Sequence, residues 1–334
     1  MNLGTNPIKV SVAKKLRQPL PKFALKFALS LTLILLLGFF QSSKLLAASG
    51  SSDFRVRSSS EQPVSASDGV GAFRTLCDFS HMNNDDAIVF PGQSGKSHSH
   101  TYFGNTQANA YSTYDSLKSS GNSTCRGGSA NRTAYWVPTV FDKQGQAIKP
   151  VESHFYYKSG YFGISASEIN EIPDGLKMVV GNAQATSSQN TDVMYWGCWN
   201  RYVGKSGSIQ KCDVGDFVVM NIDFPQCWDG ANLDSSDHKS HVVFPVNGSC
   251  PSTHSVAIPN ITMKVLYSVP GDGDVSGWRL SSDSYGTDKP GGYSIHADWF
   301  DGWDPQIKEA WTNNCVKKGI DCHSNLLGDG RELY

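Results

Sequence analysis

Eight cysteines, at positions 77, 125, 198, 212, 227, 250, 315 and 322, set the strongest limit on what this 334-residue chain can fold into, because all of them follow an export-type leader. An even number of cysteines in an exported chain predicts disulfides, which staple loop-rich domains together. Eight cysteines allow roughly a hundred pairings. The pairing adopted here joins sequence neighbours: Cys77 with Cys125, Cys198 with Cys212, Cys227 with Cys250 and Cys315 with Cys322. The rival use of cysteine, a zinc cluster, is disfavoured because no Cys-x-x-Cys occurs.

The leader is assigned to residues 1–48. Lys9, Lys14, Lys15, Arg17, Lys22 and Lys26 precede any acid and run into FALSLTLILLLGFF, residues 27–40, with small residues at Ala47 and Ala48. A basic start, a short apolar run and a small-residue exit describe a cleaved signal peptide. A membrane-spanning helix needs about 20 apolar residues, and Lys26 and Gln41 bound this run short of that. Contact with a membrane is therefore expected only through the leader, if it is retained. Removing the leader's seven Lys/Arg from the chain's 29 leaves 22 against 30 Asp/Glu, a net charge of −8. That balance argues against nucleic acid or an anionic membrane as partner. It agrees with a secreted protein, extracellular or periplasmic.

Residues 49–72 are Ser-rich and polar, which predicts a flexible linker. Residues 73–334 then form a single disulfide-bonded domain. Segments such as AYWVPTVFD, SHFYYKSGYFG, LKMVVGNA, DFVVMNIDFP and ITMKVLYSVP are short and rich in β-branched and aromatic residues. Gly, Pro, Asn or Asp bounds each of them, as expected for strands. Helical periodicity is confined to DPQIKEAWTNNC, residues 304–315, where Asp304 can cap and Pro305 can occupy the first helical position. The expected fold is mainly β, a β-sandwich or jelly-roll-like domain with long loops and a short C-terminal helix.

Three polar segments concentrate the chemistry: SGKSHSHTYFG, FPQCWDGANLDSSDHKSHVVFP and GGYSIHADWFDGWD, which hold five of the nine histidines. On a strand, side chains two apart share a face, so His98, His100 and Tyr102 lie together, as do His296 and Asp298. The blocks FPG…SHSHTYFGN, YWVPTVFD, IPDGLKMVVGN, CWDG…LDSSDHKSHVVFP, CPSTHSVAIPNI and GGYSIHADWFDGWD, in that order, resemble the domain-of-unknown-function family nineteen-ninety-six. Its members are secreted bacterial and fungal proteins. The resemblance covers nearly all of residues 73–323 and implies that these blocks form one domain; it brings no activity with it.

Two kinds of site use these residue types. A divalent metal would take imidazole and carboxylate ligands, here His98, His100, His238 and His241 with His296 or Asp298. A metal-free site would use a histidine as general acid or base, oriented by a carboxylate. Either way the catalytic candidates are His98, His100, His296, Asp229, Asp298 and Asp301. Tyr102, Trp228, Trp299 and Trp303 are the candidates for holding substrate, because aromatic faces in a polar setting stack on sugar rings. A nucleophilic serine is disfavoured, since no G-x-S-x-G elbow occurs. These residues predict a carbohydrate-active hydrolase or lyase acting on an extracellular polysaccharide or cell-wall glycan. The rival is a non-catalytic glycan-binding module using the same surface.

Overall fold

The structure, a computed structural model, describes residues 53–334. The signal peptide assigned to residues 1–48 lies outside the described residues. Two sheets pack face to face. The larger has seven strands in the spatial order Met194–Cys198, Phe217–Asp223, Asn260–Ser268, Glu152–Lys158, Ala72–Cys77, Ile320–Ser324 and Val64–Ser65. Its neighbours are antiparallel except for Ala72–Cys77 beside Ile320–Ser324. The smaller sheet runs Phe79–Asn83, His100–Gly104, Ala134–Pro138, His296–Phe300 and Lys177–Gly181, antiparallel throughout. This is the mainly β, sandwich-like architecture with long loops and a short C-terminal helix that the strand pattern predicts.

Alternation along the strands sorts side chains between the two faces. Phe103, Tyr135, Val137, Met178 and Trp299 of the five-stranded sheet share one core with Phe73, Phe155, Tyr157 and Met263 of the seven-stranded sheet. The Tyr135 and Phe155 rings lie 3.9 Å apart, centroid to centroid. The alternate residues of the five-stranded sheet, including Tyr102, Trp136, Val179 and Phe300, turn outward and are covered by loop residues Ala87, Ile88 and Ala108 and by Leu117 of the short helix Tyr114–Ser119. The strands His100–Gly104, Ala134–Pro138 and His296–Phe300 are buried on both faces, so burial does not alternate along them.

The helix Pro305–Asn314 begins where the sequence places it. Asp304 caps it, accepting from the backbone N–H groups of Gln306 and Ile307 at 3.0 and 3.2 Å. Its buried face carries Ile307, Ala310 and Trp311, and the Trp311 ring stacks on Phe73 at 5.2 Å. The eight cysteines form four disulfides, Cys77–Cys125, Cys198–Cys212, Cys227–Cys250 and Cys315–Cys322.

The linker reading needs correction over its described part. Val56–Ser58 pairs with Arg331–Leu333, and Val64–Ser65 pairs with Ile320–Ser324. Arg57 adds an ion pair with Glu332 at 2.6 Å. The folded unit therefore begins at Asp53, not at residue 73. These strands are held by backbone hydrogen bonds while their side chains stay mostly exposed, so no hydropathy pattern announces them.

Candidate functional site

The outward face of the five-stranded sheet carries the site. Tyr102, Trp136, Asp298 and Val179 lie side by side on four adjacent strands. One step along, His100 stands opposite Pro138 and His296 opposite Gly181. Gly181 is at φ 86°, and a Cβ there would come within 2.5 Å of the Ile295 carbonyl and 2.8 Å of the His296 Cα. The edge strand can thus close against His296 only because residue 181 has no side chain. His98 precedes its strand by two residues and reaches over, so that its Nε2 lies 3.1 Å from His296 Nε2. Its ring is 4.3 Å from that of His100.

Backbone contacts set the ring orientations. His100 Nδ1 lies 2.9 Å from the Asp85 carbonyl and His296 Nδ1 lies 2.7 Å from the Ser294 carbonyl. A carbonyl can only accept, so Nδ1 carries the proton in both rings and each Nε2 presents a lone pair. Among the described residues His100 Nε2 is buried with no hydrogen-bond partner, and so are both carboxylate oxygens of Asp298. One ligand atom from each of His98, His100 and His296 falls within 4.8 Å of the others, and the same holds for Asp86, His100 and Asp298. Asp86 Oδ1 accepts from the N–H groups of Ile88 and Val89, both at 2.8 Å.

Burial governs the charge states. It lowers the pKa of His98 to about 4 and that of His296 to about 3, the latter helped by His98. It lowers His100 well below the ordinary imidazole value, with His98 and His296 adding to the effect. Asp298 is pushed well above the carboxylate range by burial and then by Asp86, itself raised by burial. The neutral imidazoles of His98 and His296 and the carboxyl groups of Asp86 and Asp298 line a cleft of about 820 Å³, with His100 fully buried beside them. Its walls mix polar residues, among them Asn182, Gln184, Lys239 and Ser281, with the apolar Val89, Phe90, Val179 and Ala183.

Of the residues singled out in the sequence, His98, His100, His296 and Asp298 come together here. His238 reaches only the wall, with Nδ1 2.9 Å from Asp234. His241 has both ring nitrogens engaged, Nε2 at 2.7 Å from the Lys177 carbonyl and Nδ1 at 2.9 Å from Ser235 Oγ, so it is no ligand of this cluster. Asp229 shapes a turn by accepting from Ala231 and Asn232, and the Trp228 indole donates to the Asn232 carbonyl; neither lines the cleft. Asp301 is fully buried and paired with Lys308 at 2.9 Å, a structural charge pair beneath the helix.

The aromatic assignments need the largest correction. Trp299 and Trp303 are fully buried, and both indoles donate to the Tyr157 hydroxyl, at 3.3 and 2.9 Å. They belong to the core and cannot meet a sugar. Tyr102 lies beneath the site, donating its hydroxyl to the Asp85 carbonyl that also receives His100. It positions the histidine and offers no face to a ligand. Asp86 was not singled out in the sequence; its one signal there is a place in the acidic NNDD stretch just ahead of the histidine pair.

The model of a family described as a domain of unknown function (DUF1996) matches residues 86–303, a span that includes every floor residue of the cleft. Comparison with curated proteins and with solved structures gives no match.

Proposed function

The chain belongs to the DUF1996 family, and from that premise we propose that the cleft is a divalent-metal centre serving hydrolysis or elimination on an extracellular polysaccharide. The observation that carries this reading is the unsatisfied lone-pair set at the floor. His98, His100 and His296 converge, and Asp298 has two buried oxygens with nothing to accept from. Bonds of about 2.0–2.1 Å to a four-coordinate zinc place two ligand nitrogens about 3.3 Å apart. The 3.1 Å between His98 Nε2 and His296 Nε2 suits that spacing. The Nδ1 contacts of His100 and His296 with backbone carbonyls are the usual outer support of metal-binding imidazoles.

In this reading the three histidines would hold the cation, and Asp298, grouped with Asp86 and His100, would stand next to it. The cation would supply Lewis acidity and a bound water of lowered pKa. Asp86 stands beside the ligands as a proton acceptor, held in place by the Ile88 and Val89 amides. The hydroxyl and amide groups of Ser281, Ser282, Asn182 and Gln184 beside the apolar Val89, Phe90 and Val179 suit a sugar chain, which has both hydroxyls and apolar ring faces. Four disulfides are compatible with an extracellular protein.

The test is metal analysis of the purified protein, then a screen of wall polysaccharides for new reducing ends or unsaturated products. Wild type should retain about one equivalent of divalent metal and release product. His296→Ala should lose metal affinity by about 10–100-fold or more and release none. Wild type that binds no divalent cation after loading would end the metal reading. Glycan binding without any product would favour the non-catalytic module.

A further inference from the structure

The opposite face of the sandwich holds a second polar hollow, of about 440 Å³, on the outer surface of the seven-stranded sheet. Strand register builds it in two rows. Arg74, Tyr156, Thr262 and Asp223 lie side by side across four strands, and His154, Lys264, Asn221 and Tyr195 form the next row. Lys158, Tyr161 and Lys205 close it. The outward residues of such a sheet need only be polar; here three lysines lie against tyrosine rings.

The cations are unusually placed. The Lys158 side chain is almost wholly buried, and its ammonium sits 3.2 Å from the centroid of the Tyr161 ring. The Lys264 ammonium is 5.5 Å from the Tyr156 ring and 5.7 Å from that of Trp199. The Lys205 ammonium is 4.9 Å from Tyr195. Among the described residues none of these three lysines forms an ion pair. Rings hold cations by their faces but leave the outward ammonium protons to a ligand. Next to the hollow, Trp199 and Tyr202 are exposed, 38% and 86%, on the loop that leads to Lys205.

One more group narrows the ligand. Asp223 is buried in the same hollow and accepts from Thr262 Oγ1. A carboxylate among lysines repels a densely charged phosphate ligand but accepts readily from hydroxyls. The occupant must therefore offer an anion and several hydroxyls together, with an apolar ring face for tyrosine. An acidic sugar has all three.

We infer that this hollow binds a hexuronate unit of an acidic polysaccharide, its carboxylate on the lysine ammoniums, its hydroxyls on Asp223 and Asn221, and its ring face on a tyrosine. The site shares no residue with the histidine cleft, so the inference stands or falls without the metal reading.

Calorimetric titration of the full chain with an oligogalacturonate tests it, with the fully methyl-esterified oligomer and inorganic phosphate as comparison ligands. Wild type should bind the free acid, with affinity falling as salt is added. The methyl ester should bind at least about tenfold more weakly. Lys205→Gln/Lys264→Gln, both at solvent-reachable positions, should weaken binding of the free acid by about tenfold or more, as should Tyr195→Ala. Lys96→Gln, an exposed lysine outside both hollows, should bind it as wild type does. Equal binding of ester and acid, tighter binding of phosphate, indifference to the lysine substitutions, or no binding by wild type would each overturn the inference.

Discussion

Asp298 and Trp299 are adjacent in the chain and do opposite work. Period-two alternation sends Asp298 outward beside Trp136 and sends Trp299 inward to Tyr157. The same rule that pairs His98 with His100 and His296 with Asp298 therefore argues against Trp299 as a surface residue, and that consequence could have been read from the sequence. Asp86 could not, because it lies in a loop with no period to place it. His238 and His241 look equivalent in the sequence, yet only contacts far along the chain tie up both nitrogens of His241. Asp298 also carries a stability cost, since a buried carboxyl group without partners is penalised by about 1–3 kcal/mol or more. Asp298→Leu, which removes the polar atoms, should therefore stabilise the metal-free protein by about 1–3 kcal/mol while reducing the gain in Tm on adding zinc. Melting curves in chelator and in excess zinc check both halves; a variant less stable than wild type in chelator would contradict the orphaned-carboxylate account.

At the scale of elements, the β segments and the single C-terminal helix were legible because β-branched runs, turn residues and the Asp304–Pro305 start are local signals. The strands Val56–Ser58 and Val64–Ser65 were not, because backbone pairing with Arg331–Leu333 and Ile320–Ser324 orders them across more than 250 residues of chain. The disulfides tie elements together unequally. Cys77–Cys125 spans 48 residues and anchors the strand Ala72–Cys77, whereas Cys315–Cys322 spans 7 at the end of the helix. Loop-closure entropy makes the first worth about 4 kcal/mol and the second about 2. Urea unfolding of Cys77→Ala/Cys125→Ala and of Cys315→Ala/Cys322→Ala should show that ordering. The reverse order would mean that native packing, not chain entropy, sets their worth.

For the whole molecule, buried ionisable groups predict an alkaline stability maximum. Burial pulls Lys158 from 10.5 down to about 8. The unfolded chain holds this proton up to the ordinary value while the folded chain releases it earlier, so in this window the unfolded state binds more protons and stability climbs with pH. Tyr102, Tyr135, Tyr157 and Tyr267 are raised above their ordinary value of 10.0 by burial, so beyond it the unfolded state loses protons first and stability falls. The denaturation midpoint should thus rise from pH 8 to near pH 10 and then drop. In Lys158→Met the rise should shrink by about 2–3 kcal/mol; an unchanged rise would place its origin elsewhere. By itself the sequence determined a disulfide-bonded β domain, its capped helix, its family and the two-apart histidine and His/Asp pairs, because each is written in composition or short spacing. Only the tertiary structure decided which pairs meet, since His98 and His296 are 198 residues apart and the shared sheet, with the segment leading into His100, brings their nitrogens to 3.1 Å. It also decided that the tryptophans fill the core and that lysines and tyrosines gather on the far sheet, because such neighbours come from different strands and share no local pattern.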